Sequence, residues 1–275
     1  MTNTRTALTI AGSDSGGGAG IQADLKTFQE LGVYGMSALT AVTAQNTLGV
    51  QAVYPLSPEA VGTQLDSVGS DLPPDAVKTG MLFSSEIIIT AARKVQEYGW
   101  QDRLVIDPVM VAKGGSPLLL QEAVQALIAS LLPLAQVLTP NLPEAEILTG
   151  MKIGKMNDRE QAARLLYQMG PQYIVLKGGH APEGSEVVDL LYDGREFQYM
   201  TSPRIETRHT HGTGCTYSAA LTAGLALGYN MQQAVHTAKA FIQAAIEDSL
   251  NLGAGHGPTN HFAYGKRRSL RGDQP

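Results

Sequence analysis

The sequence predicts an α/β fold whose central sheet is mostly parallel and is covered by helices on both faces. Strand-like and helix-like segments alternate almost throughout the 275 residues, which is the pattern of repeated strand–helix–strand units. The strand-like runs are short and apolar rather than alternating, as expected of strands buried on both faces. With 43% hydrophobic residues the chain can fill one large core, and no interior linker or internal repeat divides it.

Residues 7–11 read as the first buried strand and 13–20 as a glycine-rich turn. Ile21, Leu25 and Phe28 then share a helical face, with Asp24, Lys26 and Glu30 placed elsewhere. Residues 36–44 and 75–78 are the next strands. Residues 104–107 and 136–139 are two more, each followed by proline, and 173–177 runs into Gly178-Gly179. Helical patterns fill 84–98, 119–131, 142–150 and 158–169. Residues 187–192 and 196–200 flank Asp193-Gly194, a pair suited to a type I′ hairpin turn, so an antiparallel edge is expected there. Helices at 216–227 and 231–249 close a single domain. From about residue 253 the chain reads as a loosely attached tail with Lys266, Arg267, Arg268 and Arg271 near its end.

The net charge of −5 gives no electrostatic footprint for nucleic acid, and the short basic cluster reads as a solvated terminus. Cys215 is the single cysteine, which rules out an intrachain disulfide and a CxxC metal site. No apolar run approaches the ~18 residues that span a bilayer, and the stretch at 7–11 is too short for a signal peptide. A reducing cytoplasm is the expected compartment, with no membrane partner.

Three glycine-rich segments follow strand-like or extended stretches, where open α/β sheets bind ligands and where backbone N–H groups can approach an anion. In the segment around His211-Gly212-Thr213-Gly214-Cys215, Gly212 and Gly214 would turn amides inward at the start of a helix. The helix dipole adds positive potential there. Cys215 falls in the first turn, where a thiol's pKa tends to drop below its reference of ~8.5; an inert buried thiol is the plainer alternative. The cluster from Gly12 to Gly20 fits neither a dinucleotide fingerprint, since Ile21 stands where glycine is needed, nor a Walker loop, since no Gly-Lys-Ser/Thr follows. Asp24 could meet a substrate hydroxyl or stay solvated.

Asn141 and Glu144 sit at i and i+3 at a helix start. Together they could hold the water shell of a phosphate-bound magnesium ion, or simply cap the helix. Lys177 could supply a point charge to phosphate or be a surface lysine. Asp107 ends a buried strand, where an uncompensated carboxylate is costly. Gln45 offers an acceptor and two donors side by side, enough to pair with an aminopyrimidine edge, though turn residues look the same.

In this order the segments closely resemble the bacterial hydroxymethylpyrimidine/phosphomethylpyrimidine kinases of thiamine biosynthesis, in the ribokinase-like superfamily. The resemblance runs from about residue 7 to 262. It rests on the block over 11–24, Thr43-Ala44-Gln45-Asn46-Thr47, Lys78-Thr79-Gly80-Met81-Leu82 and Asp107-Pro108-Val109-Met110. Thr139-Pro140-Asn141-Leu142-Pro143-Glu144, Lys177-Gly178-Gly179-His180 and His211-Gly212-Thr213-Gly214-Cys215 complete it.

The resemblance implies a three-layer α/β/α sandwich, usually a homodimer, using ATP and Mg2+ on a small pyrimidine. It implies that Gln45 holds the pyrimidine edge, with Gly12, Asp24, Met81 and Val109 lining the same pocket. Gly212, Gly214 and Cys215 would form the anion hole, and Asn141, Glu144, Asp107 and Lys177 would serve the nucleotide, with Glu144 reaching magnesium through water. Sugar kinases of the superfamily carry aspartate where Cys215 stands, so a base role and an anion-hole role both remain for the thiol. The implied reaction is phosphorylation of 4-amino-5-hydroxymethyl-2-methylpyrimidine to its monophosphate and then its diphosphate. The rival reading is a pyridoxine/pyridoxal kinase of the same sub-family, whose relatives tend to depart from Ala-Gln-Asn-Thr. A dinucleotide-binding protein is disfavoured by the failed fingerprint.

Overall fold

A computed structural model describes residues 4–110, 118, 121–181 and 184–271. The chain runs β1 (Thr6–Asp14), α1 (Gly20–Glu30), β2 (Tyr34–Asn46), β3 (Gly49–Pro55), α2 (Pro58–Asp71), β4 (Ala76–Thr79) and α3 (Ser85–Glu97). It continues through β5 (Leu104–Ile106), α4 (Gln121–Ala126, passing into a π-helical turn at Leu127–Leu131), β6 (Val137–Leu138), α5 (Leu142–Thr149) and α6 (Met156–Gln168). The last elements are β7 (Tyr173–Leu176), β8 (Glu186–Tyr192), β9 (Phe197–Pro203), α7 (Thr213–Ala226), α8 (Met231–Glu247) and α9 (Ala263–Arg271). The expected start of the fourth helix at Leu119 lies outside the described residues.

All nine strands join one sheet in the order β3-β2-β1-β4-β5-β6-β7-β8-β9. From β2 to β7 every pairing is parallel. The β3, β8 and β9 pairings are antiparallel and form both edges. The period-two pleat explains the layers. Leu8, Ile10, Val77, Leu104, Ile106, Leu138, Ile174 and Leu176 point to one face, where they meet Ile88 and Val95 of α3 and Leu148 of α5. Their neighbours Ala7, Ala76, Val105, Val137 and Val175 point to the other, against Phe28 of α1, Ala220 of α7 and Phe241 of α8. Each fully buried aliphatic side chain contributes about 1.5–3 kcal/mol relative to exposure, so the two faces together drive the three-layer arrangement.

α7 is covered nearly all round, with every residue from Thr216 to Gly224 buried. Of its hydroxyls, Thr222 donates within the helix to Ser218 O (2.7 Å), while Ser218 and Thr216 turn to partners outside it, Asp107 and His261. A Cβ built on Gly224 would stand 3.0 Å from Ala234 Cβ, so the small residues of α7 let α8 approach closely.

Several expectations are corrected. The Asp193-Gly194 turn is a four-residue connection, with Tyr192 paired to Phe197. The Asp193 carboxylate accepts from the amides of Arg195 (2.8 Å) and Glu196 (2.7 Å), which selects the longer turn. Residues 49–71, for which the sequence analysis makes no assignment, form β3 and α2; Ser57 caps α2 through the Ala60 amide at 3.1 Å, with Pro58 in the first turn. The segment after 253 is not a loose tail. Thr259, Asn260, His261 and Ala263 are buried, Tyr264 packs on Phe241 with ring centroids 5.2 Å apart, and Arg267 pairs with Glu247 and Asp248. Among the described residues no helix is long and apolar enough to cross a membrane.

Candidate active site

A cavity of about 790 Å³ opens beyond the carboxyl ends of the parallel strands. Each strand delivers its polar groups at its end: Gly12 and Asp14 from β1, Gln45 from β2, Lys78, Gly80 and Met81 from β4, and Asp107 and Val109 after β5. Asn141 and Glu144 follow β6, Lys177 follows β7, and the first turn of α7 with Gly212, Gly214 and Cys215 closes the floor. A Cβ on Gly12 would meet Met81 Cε at 2.5 Å, so glycine leaves room for the methionine that walls the pocket.

The glycine-rich turn after β1 is organised by Asp14. Its Oδ1 accepts from the Gly16 amide (2.8 Å), and its Oδ2 accepts from Gly18 (3.0 Å), Ala19 (2.9 Å) and His211 Nε2 (2.8 Å). Burial alone would raise this carboxyl, but the His211 bond and charge and the turn amides outweigh it and hold it below the usual range. With the Nε2 proton given to Asp14, His211 offers no acceptor to the Gln45 amide 3.4 Å away.

The loop bearing Gly212 touches this turn directly. Gly212 has φ +80°, and a Cβ there would fall 1.8 Å from the Gly18 carbonyl oxygen, so only glycine fits. Gly214 faces the opposite wall, where a Cβ would lie 3.4 Å from Lys177 Nζ and 3.7 Å from Asp107 Oδ2. The amides of Gly214 and Cys215 belong to the first turn of α7, whose N–H groups have no intrahelical partner.

Beside them lies a buried ionic group. Lys177 Nζ donates to Asp107 Oδ1 at 2.8 Å, and the Ser218 hydroxyl donates to Asp107 Oδ2 at 3.1 Å. Burial opposes both charges, but Lys177 and Lys78 hold the Asp107 carboxyl down, and Asp107 and Glu144 hold the Lys177 ammonium up. Glu144 differs. Burial, with the Asp107 charge adding to it against the pull of Lys177, pushes it up to about 7. Asn141 and Glu144 form a complete capping box, each side chain accepting the other's amide at 2.9 and 2.8 Å. The plain reading of this pair is therefore realised, and both residues line the cavity as well.

Two site expectations are corrected. Asp24 is not among the cavity-lining residues and is not solvated. It is fully buried, both its oxygens accept from Lys78 Nζ (2.9 and 2.8 Å), and Oδ2 also accepts from Thr9 (2.6 Å). Burial pushes the Asp24 carboxyl up against the pull of Lys78 and Thr9, and on Lys78 burial is outweighed chiefly by the Asp24 charge, which holds the ammonium above the usual lysine range. Cys215 is half-buried at the cavity floor, but its thiol is not activated. Burial pushes it up to about 11; Lys78 pulls down, and Asp24 and Asp107 push up further.

Lys78, the Asp14–His211 link and the Asp189–Lys239 pair also line the cavity, with no role legible from local sequence. Asp189 accepts from Lys239 Nζ (2.8 Å) and from the Gly178 amide (2.7 Å), which anchors the loop bearing Lys177. For Asp189 only the need of a partner was readable: it interrupts the apolar run of β8, where a charge requires one.

Among the described residues no group of three or more His, Cys, Asp or Glu side chains is arranged to hold a metal directly. Glu144, its Oε2 committed to the Asn141 amide, fits instead a hydrated divalent cation carried with phosphates, which needs one carboxylate rather than a protein cage.

Comparison with known proteins agrees with this geometry. A family profile described as phosphomethylpyrimidine kinase matches residues 14–260. A Bacillus subtilis protein named hydroxymethylpyrimidine/phosphomethylpyrimidine kinase is 58% identical, over 96% of this chain and 97% of its own. The solved ADP complex of Bacillus subtilis pyridoxal kinase superposes with a TM-score of 0.88 at 46% identity, covering 95% of this chain and 98% of that one. Staphylococcus aureus pyridoxal kinase with AMP-PCP and pyridoxal also gives 0.88, at 41% identity and 95% of both chains. The fold is therefore ribokinase-like, and the chain belongs to the phosphomethylpyrimidine kinase family.

Proposed function

We propose that this chain phosphorylates 4-amino-5-hydroxymethyl-2-methylpyrimidine with ATP, first on the hydroxymethyl oxygen and then on the monophosphate, as a step of thiamine biosynthesis. The observation that carries the reading is the meeting of the α7 amino end with Lys177, Asp107 and Glu144 at the foot of a cavity whose other wall bears Gln45. Phosphoryl transfer is catalysed largely by positioning and by stabilising charge on the transferring oxygens. Gln45 orients the ring by pairing with its amine and nitrogen edge. The amides of Gly214 and Cys215 and the helix dipole face the transferring group, and Lys177 supplies a fixed cation.

The acceptor oxygen gains the phosphorus while the bond to the leaving ADP oxygen breaks, and the alcohol proton goes to the Cys215 thiolate where that form is populated or, with the thiol neutral, to an oxygen of the transferring phosphoryl group. A magnesium ion carried with the nucleotide would be held through water by Glu144, beside Asn141, and would neutralise charge on the β- and γ-phosphates. The second acceptor is already an anion, so the same cradle serves both steps with less need of a base.

Homodimer assembly in the cytoplasm goes with this reading. β3 is an edge strand, and Tyr54 on it stands exposed opposite the exposed Val42, with Leu48 exposed in the turn that joins β2 to β3, the kind of edge that soluble proteins cover.

The solved pyridoxal kinases that superpose along nearly the whole chain favour pyridoxal phosphorylation as a second activity of the same site. An ATP-consumption assay with the hydroxymethylpyrimidine and pyridoxal, each at varied concentration, tests both. The expected result is a higher kcat/KM for the pyrimidine; the reverse ranking would move the primary assignment to pyridoxal.

A further inference from the structure

Residues 253–261 run behind the cavity wall, lining none of it, and tie separate parts of the site together. At one end the amides of Gly255 and His256 donate to the hydroxyl (3.3 Å) and carbonyl (2.8 Å) of Thr47, two residues beyond Gln45. A Cβ on Gly255 would stand 2.0 Å from the Thr47 carbonyl oxygen, so the two backbones are in direct contact. In the middle, the His211 amide donates to Gly257 O (3.1 Å) and the Thr259 amide to His211 O (3.3 Å), a short parallel pairing along the anion loop. At the far end His261 is buried, and its Nε2 lies 3.0 Å from the hydroxyl of Thr216 in the first turn of α7.

The segment is itself fixed to the helical layer. The Asn260 side-chain amide donates to Asp248 O (2.8 Å), and its backbone amide donates to Ala245 O (3.0 Å). One strap therefore touches the turn beside the pyrimidine-facing glutamine, the loop bearing Gly212 and the helix start bearing Cys215. Gly253, Ala254 and His256 are exposed, while Gly257, Thr259, Asn260 and His261 are buried between the site and α8. The His261 ring is lowered to about 4 by burial and the Lys26 charge, so it stays neutral near pH 7 and its bond to Thr216 does not switch there.

We propose that residues 253–261 form a brace that positions the anion loop for phosphoryl transfer, with His261 the positioning residue that acts on the first turn of α7 through Thr216. The proposal rests on the reading that the amides of Gly214 and Cys215 receive the transferring phosphoryl group. Those amides move with the first turn of α7, and an error of about 1 Å in such a cradle costs up to two orders of magnitude in rate. His261 touches no reacting atom; it fixes where the amides stand.

The test compares wild type with His261→Ala, His261→Gln and Thr216→Val, each measured as kcat per natively folded molecule and as KM for the hydroxymethylpyrimidine. The brace predicts that His261→Ala lowers kcat about tenfold or more with KM changed less than about twofold. His261→Gln, which keeps a hydrogen-bonding nitrogen near the Nε2 position, recovers most of the rate. Thr216→Val reproduces the alanine loss in a nearly isosteric helix, and the double variant falls no further. Arg267→Ala, which removes the ion pairs of α9 with Glu247 and Asp248 and touches no cavity-lining residue, lowers Tm and leaves kcat unchanged. An active wild type whose His261→Ala variant keeps its kcat, or whose glutamine variant is no better than alanine, overturns the brace alone. A wild type that transfers no phosphate overturns the kinase reading and the brace with it.

Discussion

Replacing Cys215 by alanine separates the two roles open to the thiol. The structure places its pKa at about 11, because burial and the carboxylates of Asp24 and Asp107 outweigh the pull of Lys78. A raised pKa means that the neutral thiol dominates below that value and the thiolate appears only as pH climbs toward it. At pH 7 about one molecule in 10⁴ carries a thiolate, and bringing it there costs about 5 kcal/mol at 1.36 kcal/mol per pH unit. If Cys215 takes the alcohol proton, wild-type kcat with the hydroxymethylpyrimidine should rise about tenfold per pH unit between 7 and 9. Cys215→Ala should then lie ~10²-fold lower with a flat profile and an unchanged KM, the usual scale of a lost general base. The first transfer should suffer more than the second, whose acceptor is already ionised. The assay is coupled ATP consumption against pH for each acceptor in turn. An alanine variant with near-normal kcat would remove the thiol from the chemistry. A large loss that is equal for both acceptors, against a flat wild-type profile, would refute proton abstraction and leave Cys215 a part of the anion cradle.

Other outcomes follow from the same geometry. Glu144 is held up to about 7, so its charge develops as pH rises from 6 to 8; wild-type use of magnesium–ATP should strengthen over that interval by more than in Glu144→Gln. Raising magnesium should partly rescue Glu144→Gln and fail to rescue Lys177→Ala, and identical titrations for both would sink this division of roles. Gly212→Ala would force a Cβ to within 1.8 Å of the Gly18 carbonyl at a positive φ. It should abolish turnover and cost at least about 1–3 kcal/mol of stability by denaturant unfolding, whereas a stable and active variant would show that the loop is not locked against the glycine-rich turn.

Much of this fold is readable because the parallel strands are short apolar runs that end in glycine, proline or a polar group, and those ends are where the cavity forms. The readings that fail do so for identifiable reasons. Asp24 looks polar and outward by helical spacing, yet its neighbour in space is Lys78, fifty-four positions away, and no local pattern encodes that pair. Cys215 sits where a helix dipole favours a thiolate, but burial, helped by the Asp24 and Asp107 carboxylates from distant segments, reverses the shift. The glycine, proline and histidine content of residues 253–261 suggests a loop, and the bonds that make it a strap are to the backbones of Thr47 and His211, which composition does not reveal. By contrast, the capping of α2 by Ser57 ahead of Pro58 and the isolated charge of Asp189 within β8 were both legible signals.

The most direct test of the account follows phosphorus NMR through a single reaction of wild-type protein with magnesium, excess ATP and the hydroxymethylpyrimidine. The account predicts that a monophosphate ester signal rises first and then gives way to a diphosphate, with two ATP consumed per pyrimidine. A reaction that stops at the monophosphate while ATP remains would contradict the claim that one cradle of Gly212, Gly214, Cys215 and Lys177 serves both transfers.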